Sequence, residues 1–188
     1  ILKGCQIVIM VGDITVTALD GFRLATACGK VERATGDMEI VCPARTLKEI
    51  EKRLPGGEGE TQLRVQKGII LVCVDDTILT SCLYNGDFIK KENIIPKSYL
   101  TKVTVDRELL KASIERAAIL VRGDKNSLII LDISQGKVEI SSNSEIGNVN
   151  EPVKAELEGK DLKIAMNSKF ISDAINALTE EEIVLSFN

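Results

Sequence analysis

The sequence predicts an α+β protein made of two copies of one module, each running helix, strands, helix, strands. Two internal matches at a single offset carry that reading, and the composition agrees with it. Residues 43–54 (Pro-Ala-Arg-Thr-Leu-Lys-Glu-Ile-Glu-Lys-Arg-Leu) align without a gap on residues 167–178 (Asn-Ser-Lys-Phe-Ile-Ser-Asp-Ala-Ile-Asn-Ala-Leu), 124 positions later. Residues 6–18 align on residues 130–142 at the same offset. Aromatic residues make up only 3% of the chain and Trp is absent, so the core must be Ile, Leu, Val and Ala. Such a core suits small repeated modules better than a cavity lined with rings.

The elements follow in chain order. In residues 6–18, Ile7, Ile9, Ile14 and Val16 alternate with polar positions on both sides of Gly12-Asp13, the pattern of an antiparallel hairpin with one buried face. In residues 43–54, Leu47, Ile50 and Leu54 keep the three-or-four spacing of an amphipathic helix, and Pro43 suits its start. The run Pro55-Gly56-Gly57-Glu58-Gly59-Glu60 predicts a loop, and Gln62–Val65 a strand. Strands are expected near 69–74 and 77–83, with Asp75-Asp76 as the turn between them. The boundary between modules is expected near residues 97–104, after Ile94-Ile95-Pro96, giving domains of 1–103 and 104–188. The second module opens on a helix from Asp106, with apolar positions 110, 114, 117 and 121 on one face. Leu131, Ile133, Val138 and Ile140 then repeat the hairpin, with Gly136-Lys137 as the expected turn, and Asn167 opens the repeated helix.

That register also predicts what each module lacks. The helix at 106–121 has no counterpart in the first module, and the strands at 69–83 have none in the second. The chain starts inside an apolar stretch, Ile1-Leu2, without Met, so both ends are expected to be cropped.

Composition narrows the function. At 188 residues, with 44% apolar and 28% charged, the chain is an ordinary globular protein, and its longest apolar run, Ile69–Val74, is too short to span a bilayer. Its five cysteines include no Cys-x-x-Cys pair and it has no His, so reduced thiols acting as small hydrophobes, with no metal and no cofactor, are expected in a cytoplasmic protein. Without His, the usual general base is missing. Gly56-Gly57 lacks the Lys-Ser/Thr of a phosphate loop. The rival enzymatic reading is a hydrolase or metal enzyme in which Asp20, Asp75 and Asp76 converge; a purely structural repeat that binds no nucleic acid is the third possibility.

The cations are patterned despite the net charge of −4. Arg45, Lys48 and Lys52 form a stripe opposite the apolar face of the first helix. Arg107 and Lys111 share a stripe on the second, with Arg122 just past its end. Lys169 repeats the position of Arg45. Such stripes are either a solvated helix face or, since cations recur at matching places in the repeat, a surface that touches the phosphates of a nucleic acid such as double-stranded DNA without reading its bases, in weak, salt-sensitive and sequence-independent contact.

The stretch Ala18-Leu19-Asp20-Gly21-Phe22-Arg23-Leu24-Ala25 resembles the Ala-Thr-Asp-Gly-x-Arg-Leu-Ala signature of the bacterial beta sliding clamp family, the processivity subunit of the replicative polymerase. Leu2-Lys3-Gly4, Val41-Cys42-Pro43-Ala44-Arg45, Asn85-Gly86-Asp87-Phe88, Ile94-Ile95-Pro96, Arg116-Ala117-Ala118-Ile119-Leu120 and Ala165-Met166-Asn167-Ser168-Lys169-Phe170 agree with it in order. The resemblance implies a DNA clamp fold: three similar α+β domains per subunit, with two subunits closing a homodimeric ring, helices inside and antiparallel sheets outside. This chain would hold most of the second and third domains of a non-enzymatic protein. It further implies a pocket between those domains for a Gln-Leu-x-Leu-Phe-type peptide of the polymerase III alpha subunit, the clamp loader and other clamp-binding proteins. By motif, that pocket would use Leu2, Leu19, Gly21, Phe22, Arg23, Leu24, Ile89, Asn93 and Ile94. The sequence departs from the family where Phe88-Ile89-Lys90-Lys91 replaces Phe-Pro-Asp-Tyr and Asn93 replaces a basic residue, so an altered pocket rim is expected.

Overall fold

The computed structural model describes residues 3–54, 59–122, 127–144 and 147–188. Leu2 and the Pro55–Glu58 part of the expected loop lie outside the described residues. The chain divides into two compact units, Ile1–Lys90 and Lys91–Asn188.

In the first unit, strands β1 (Gly4–Met10), β2 (Asp13–Leu19), β3 (Leu24–Lys30) and β4 (Met38–Pro43) form an antiparallel sheet in the order β3-β2-β1-β4. Met10 pairs with Asp13, which leaves Val11-Gly12 as a two-residue turn with φ of 52° and 85°. Two consecutive positive φ values define the hairpin turn whose twist matches that of the flanking strands, and Gly supplies the second at no steric cost. Helix α1 (Ala44–Glu51) follows Pro43, whose φ of −56° is already suited to a helix start. Strands β5 (Thr61–Gln66), β6 (Ile69–Val74) and β7 (Thr77–Cys82) form a second sheet, with Asp75-Asp76 turning between β6 and β7 as expected. Ile7, Ile9, Ile40 and Cys42 from the first sheet, Ile50 from α1, and Ile70, Val72 and Val74 from the second make one buried cluster. Of the alternating set read in residues 6–18, Ile7 and Ile9 lie in this core, and Ile14 and Val16 pack against it partly buried.

In the second unit, β8 (Thr101–Asp106) leads into α2 (Arg107–Leu120). Then come β9 (Leu128–Ser134), β10 (Lys137–Ser144), β11 (Gly147–Gly159), β12 (Leu162–Asn167), α3 (Ser168–Asn176) and β13 (Glu182–Phe187). The six strands form one antiparallel sheet in the order β12-β9-β10-β11-β8-β13. Each helix opens on a side-chain cap: Asp106 accepts from Leu109 N at 2.8 Å, and Asn167 accepts from the amides of Lys169 and Phe170. Leu110, Ile114, Ala117 and Val121 are all buried at 2% exposure or less, as the helical spacing predicts. The buried Ser142 hydroxyl fastens the end of α2 to the sheet by donating to the Ala117 carbonyl at 2.9 Å. No helix among the described residues is long and apolar enough to cross a membrane.

The offset of 124 holds in the ladders as well as in the sequence. Ile7 pairs with Val16 and Ile40; Leu131 pairs with Ile140 and Ile164. Helix α1 starts at Ala44 and α3 at Ser168. Four expectations change. Met10 pairs with Asp13, so the β1–β2 turn is Val11-Gly12 rather than Gly12-Asp13, and Lys137 pairs with Ser134, so the β9–β10 turn is Gln135-Gly136; each lies one residue earlier than expected. Helices α1 and α3 end before Leu54 and Leu178, which are 47% and 41% exposed rather than part of the apolar face. The division falls at Lys90–Lys91, and a cut at 103–104 would pass through β8.

A capped turn and the basic helix surfaces

The stretch that carried the resemblance closes the β2–β3 hairpin. Leu19 pairs with Leu24 at its base, and Asp20-Gly21-Phe22-Arg23 form the turn. Its geometry is set by Asp20. One carboxylate oxygen accepts from the amides of Phe22 (3.1 Å) and Arg23 (2.9 Å), and the other accepts from Arg23 Nε (2.9 Å) and Nη2 (2.6 Å). The Asp20 amide closes the loop on the Arg23 carbonyl at 3.2 Å. Gly21 has φ of +89° and nothing within 4 Å of where a Cβ would stand, so the backbone conformation selects glycine there, not lack of room. The Arg23 guanidinium, then the two amides, hold the Asp20 carboxyl below the ordinary carboxylate range.

The result is a stiff turn that presents Phe22 to solvent at 84% exposure, with Leu19 and Leu24 half-buried at its base. The Arg23 head chelates the Asp20 carboxylate. Asp20 is the residue whose role sequence reasoning missed: it entered as part of the signature and as a rival catalytic carboxylate, not as the cap of a turn. An Asp opening a Gly-containing turn was the available signal, since a side chain of that length bonds the amides two and three residues on. Of the other expected pocket residues, Ile89 is exposed in the first unit. Asn93 and Ile94 lie in the second, where Ile94 N donates to the Lys91 carbonyl at 3.0 Å.

The expected cations differ in what they can offer. Arg45 and Lys48 are exposed on α1, whereas Lys52 lies past its end with its ammonium on Glu49 at 2.9 Å. On α2, Arg107 is mostly covered: its Nε donates to the Glu180 carbonyl at 2.8 Å, and Glu108 is 2.7 Å away. Lys111 is half-buried. Arg122, beyond the C-terminus of α2, and Lys169, in the first turn of α3, line one shallow depression with Ala118, Ser127, Ser168 and Ser172. Arg116, absent from the expected set, is exposed but neutralised by Glu151, with Nε donating at 2.6 Å. Asp75 and Asp76 are turn residues, and among the described residues no three His, Cys, Asp or Glu side chains form a metal-holding group. Asp20, Asp75 and Asp76 are not gathered into such a group.

Comparison with known proteins agrees with this picture. The family profile described as DNA polymerase III beta subunit, central domain, matches residues 1–90, and that described as the C-terminal domain matches residues 92–188. The chain is 30% identical over its whole length to the Staphylococcus aureus protein named beta sliding clamp, of which it covers 50%. Among solved structures it is similar to the DNA polymerase sliding clamp of Bacillus subtilis (TM-score 0.95, 28% identity, covering 100% of this chain and 50% of that one). It is also similar to the DNA polymerase III beta chain of Streptococcus pneumoniae (TM-score 0.92, 27% identity, again 100% and 50%). The chain therefore spans about half the length of the relatives it matches. Two family domains in tandem, joined where the structure divides, make this chain a member of the DNA polymerase III beta subunit family.

Proposed function

We propose that this chain is the partner-docking and DNA-facing part of a sliding clamp, a non-catalytic homodimeric ring that encircles duplex DNA and tethers the replicative polymerase. The tandem of central and C-terminal family domains supports the assignment to a clamp. The observation that carries the docking role is the Asp20-capped turn, which holds an exposed aromatic ring above two aliphatic side chains. An extended peptide with alternating Leu and Phe would bury its apolar side chains against Leu19, Gly21, Phe22, Leu24 and Ile89, losing little entropy because the turn is already ordered. Asn93 and Ile94 are assigned to that pocket by resemblance alone, and the polymerase alpha subunit, the clamp loader and other carriers of the motif are its proposed partners. Arg45, Lys48, Arg122 and Lys169 are the cations best placed to meet phosphates.

The test is calorimetric titration of a Gln-Leu-x-Leu-Phe peptide into the full-length protein that carries this chain. Micromolar binding is expected, and Leu19→Ala and Arg23→Ala should each weaken it about tenfold, or about 1.4 kcal/mol. The first substitution removes apolar contact and the second removes the guanidinium from the Asp20 carboxylate, leaving the turn held by its amides alone. Equal affinity in wild type and both variants would remove the turn from the binding site.

A further inference from the structure

Cys5 on β1 stands directly opposite Cys42 on β4. Opposed residues of an antiparallel pair put their side chains on the same face. The next opposed pair on that face is Ile7 and Ile40, both in the core, so the two thiols lie side by side toward it. Cys42 is fully buried and Cys5 half-buried.

The ladder also fixes their spacing. The Ala44 amide donates to the Lys3 carbonyl at 3.0 Å, which makes that opposed pair a hydrogen-bonded one. Val41, which faces Gln6 on β1, instead accepts from the Tyr84 amide at 2.9 Å on its other side. Bonded and unbonded pairs alternate, so Cys5–Cys42 is bonded like Lys3–Ala44 and its Cα atoms are about 5.5 Å apart. That lies within the roughly 4.4–6.8 Å Cα span of disulfides, but the Cβ atoms of a bonded pair stand about 5.5 Å apart, wider than the roughly 3.5–4.5 Å of a relaxed disulfide, so closure needs a small shift of β1 against β4 and gives a readily reduced link. No other cysteine faces a cysteine: Cys28 is opposite Thr15, Cys73 opposite Gln62 and Ile78, and Cys82 opposite Ile69.

We infer that Cys5 and Cys42 are a modification site, a resting dithiol that a small hydroperoxide closes to a cross-strand disulfide within the first unit. Cys5 is the point of entry because it is the more exposed of the two residues. Its thiolate attacks one oxygen of hydrogen peroxide, the O–O bond breaks, and the departing hydroxide leaves as water, giving Cys5 sulfenic acid. The Cys42 sulfur then attacks the Cys5 sulfur and displaces hydroxide, which takes up the Cys42 proton. Two thiols lose two electrons and two protons, and one peroxide becomes two waters. Burial raises the Cys5 thiol and, aided by the adjacent Cys5, the Cys42 thiol to about 11. Thiolate is therefore scarce, so the resting state is reduced and closure is slow. The closed loop, residues 5–42, contains β2, β3 and the Asp20 turn.

The test treats the native chain with excess hydrogen peroxide, alkylates the remaining thiols in denaturant and maps the digest by mass spectrometry. A Cys5–Cys42 linked peptide is expected, two hydrogens lighter than the separate peptides. Three of the five cysteines should remain alkylated, and dithiothreitol should restore all five. In Cys5→Ser, Cys42 should stay reduced, because only the missing sulfur gives it access to oxidant. Links that join other cysteines overturn the pairing, as do Cys5 and Cys42 left unlinked while Cys28 and Cys82 oxidise. Oxidation of Cys42 in Cys5→Ser overturns the order of the steps.

Discussion

Asp20 acts on the β2–β3 turn through four hydrogen bonds from two neighbours, and the strongest influence on its acidity is the Arg23 side chain, ahead of the Phe22 and Arg23 amides. A carboxyl whose folded value lies below its unfolded value of about 3.9 stabilises the fold above that pH and loses the contribution as pH falls through the folded value. The turn should therefore hold at neutral pH and loosen only in acid, below about pH 4. An NMR titration following the Phe22 and Arg23 amides should give a midpoint below that of an ordinary aspartate. Arg23→Ala should move the midpoint back up, because the leading cause is gone while the amide bonds remain. A midpoint unmoved by that substitution would assign the shift to the backbone amides instead. The sequence revealed that these residues mattered through their resemblance to a signature. It did not reveal why, because which side chain bonds which depends on Gly21 at positive φ bringing the Asp20 and Arg23 side chains together.

At the scale of elements, the repeat made most of the fold legible. One offset located both hairpins and both repeated helices, and periodicity picked out Leu110, Ile114, Ala117 and Val121 as a buried face. Helix ends were less legible. Leu54 and Leu178 continue the apolar spacing, but the helices stop short of them, and spacing alone does not say where backbone hydrogen bonding ends. The same limit affected the cations. Stripe counting treated Arg45 and Arg107 as equals, yet Arg45 is exposed and Arg107 is folded onto the Glu180 carbonyl by the approach of the segment before β13. On the full-length protein, Arg45→Ala and Lys169→Ala should each lower the salt dependence of duplex DNA association, by about 0.9 in the log–log slope for each phosphate no longer neutralised. Arg107→Ala should leave the slope unchanged. Fluorescence anisotropy from low to moderate salt measures this, and a slope lowered only by Arg107→Ala would reverse the assignment.

For the whole molecule, the consequential feature is where one unit ends and the next begins. The sequence puts the boundary near residues 97–104, after Ile94-Ile95-Pro96, where the segment before α2 carries no helix or hairpin signal of its own. That segment is β8, a central strand whose partners β11 and β13 lie far along the sequence, so only long-range pairing identifies it. Thr101 and Val103 are buried at 3% and 0%, and the Thr101 hydroxyl donates to the Lys160 carbonyl at 2.7 Å. Val103 faces Leu157 on one side and Leu185 on the other. A fragment of residues 91–188 should fold alone, with dispersed NMR signals and a cooperative thermal transition. A fragment of residues 104–188 loses the first half of β8, leaving the ends of both neighbouring strands without their ladder partners. The buried Val103 side chain alone is worth about 1.5–3 kcal/mol, a large share of the roughly 5–15 kcal/mol typical of a domain. The shorter fragment should therefore show no cooperative transition, or one many degrees lower. Equal melting of the two fragments would mean that the N-terminal half of β8 is dispensable and would return the boundary to residues 103–104.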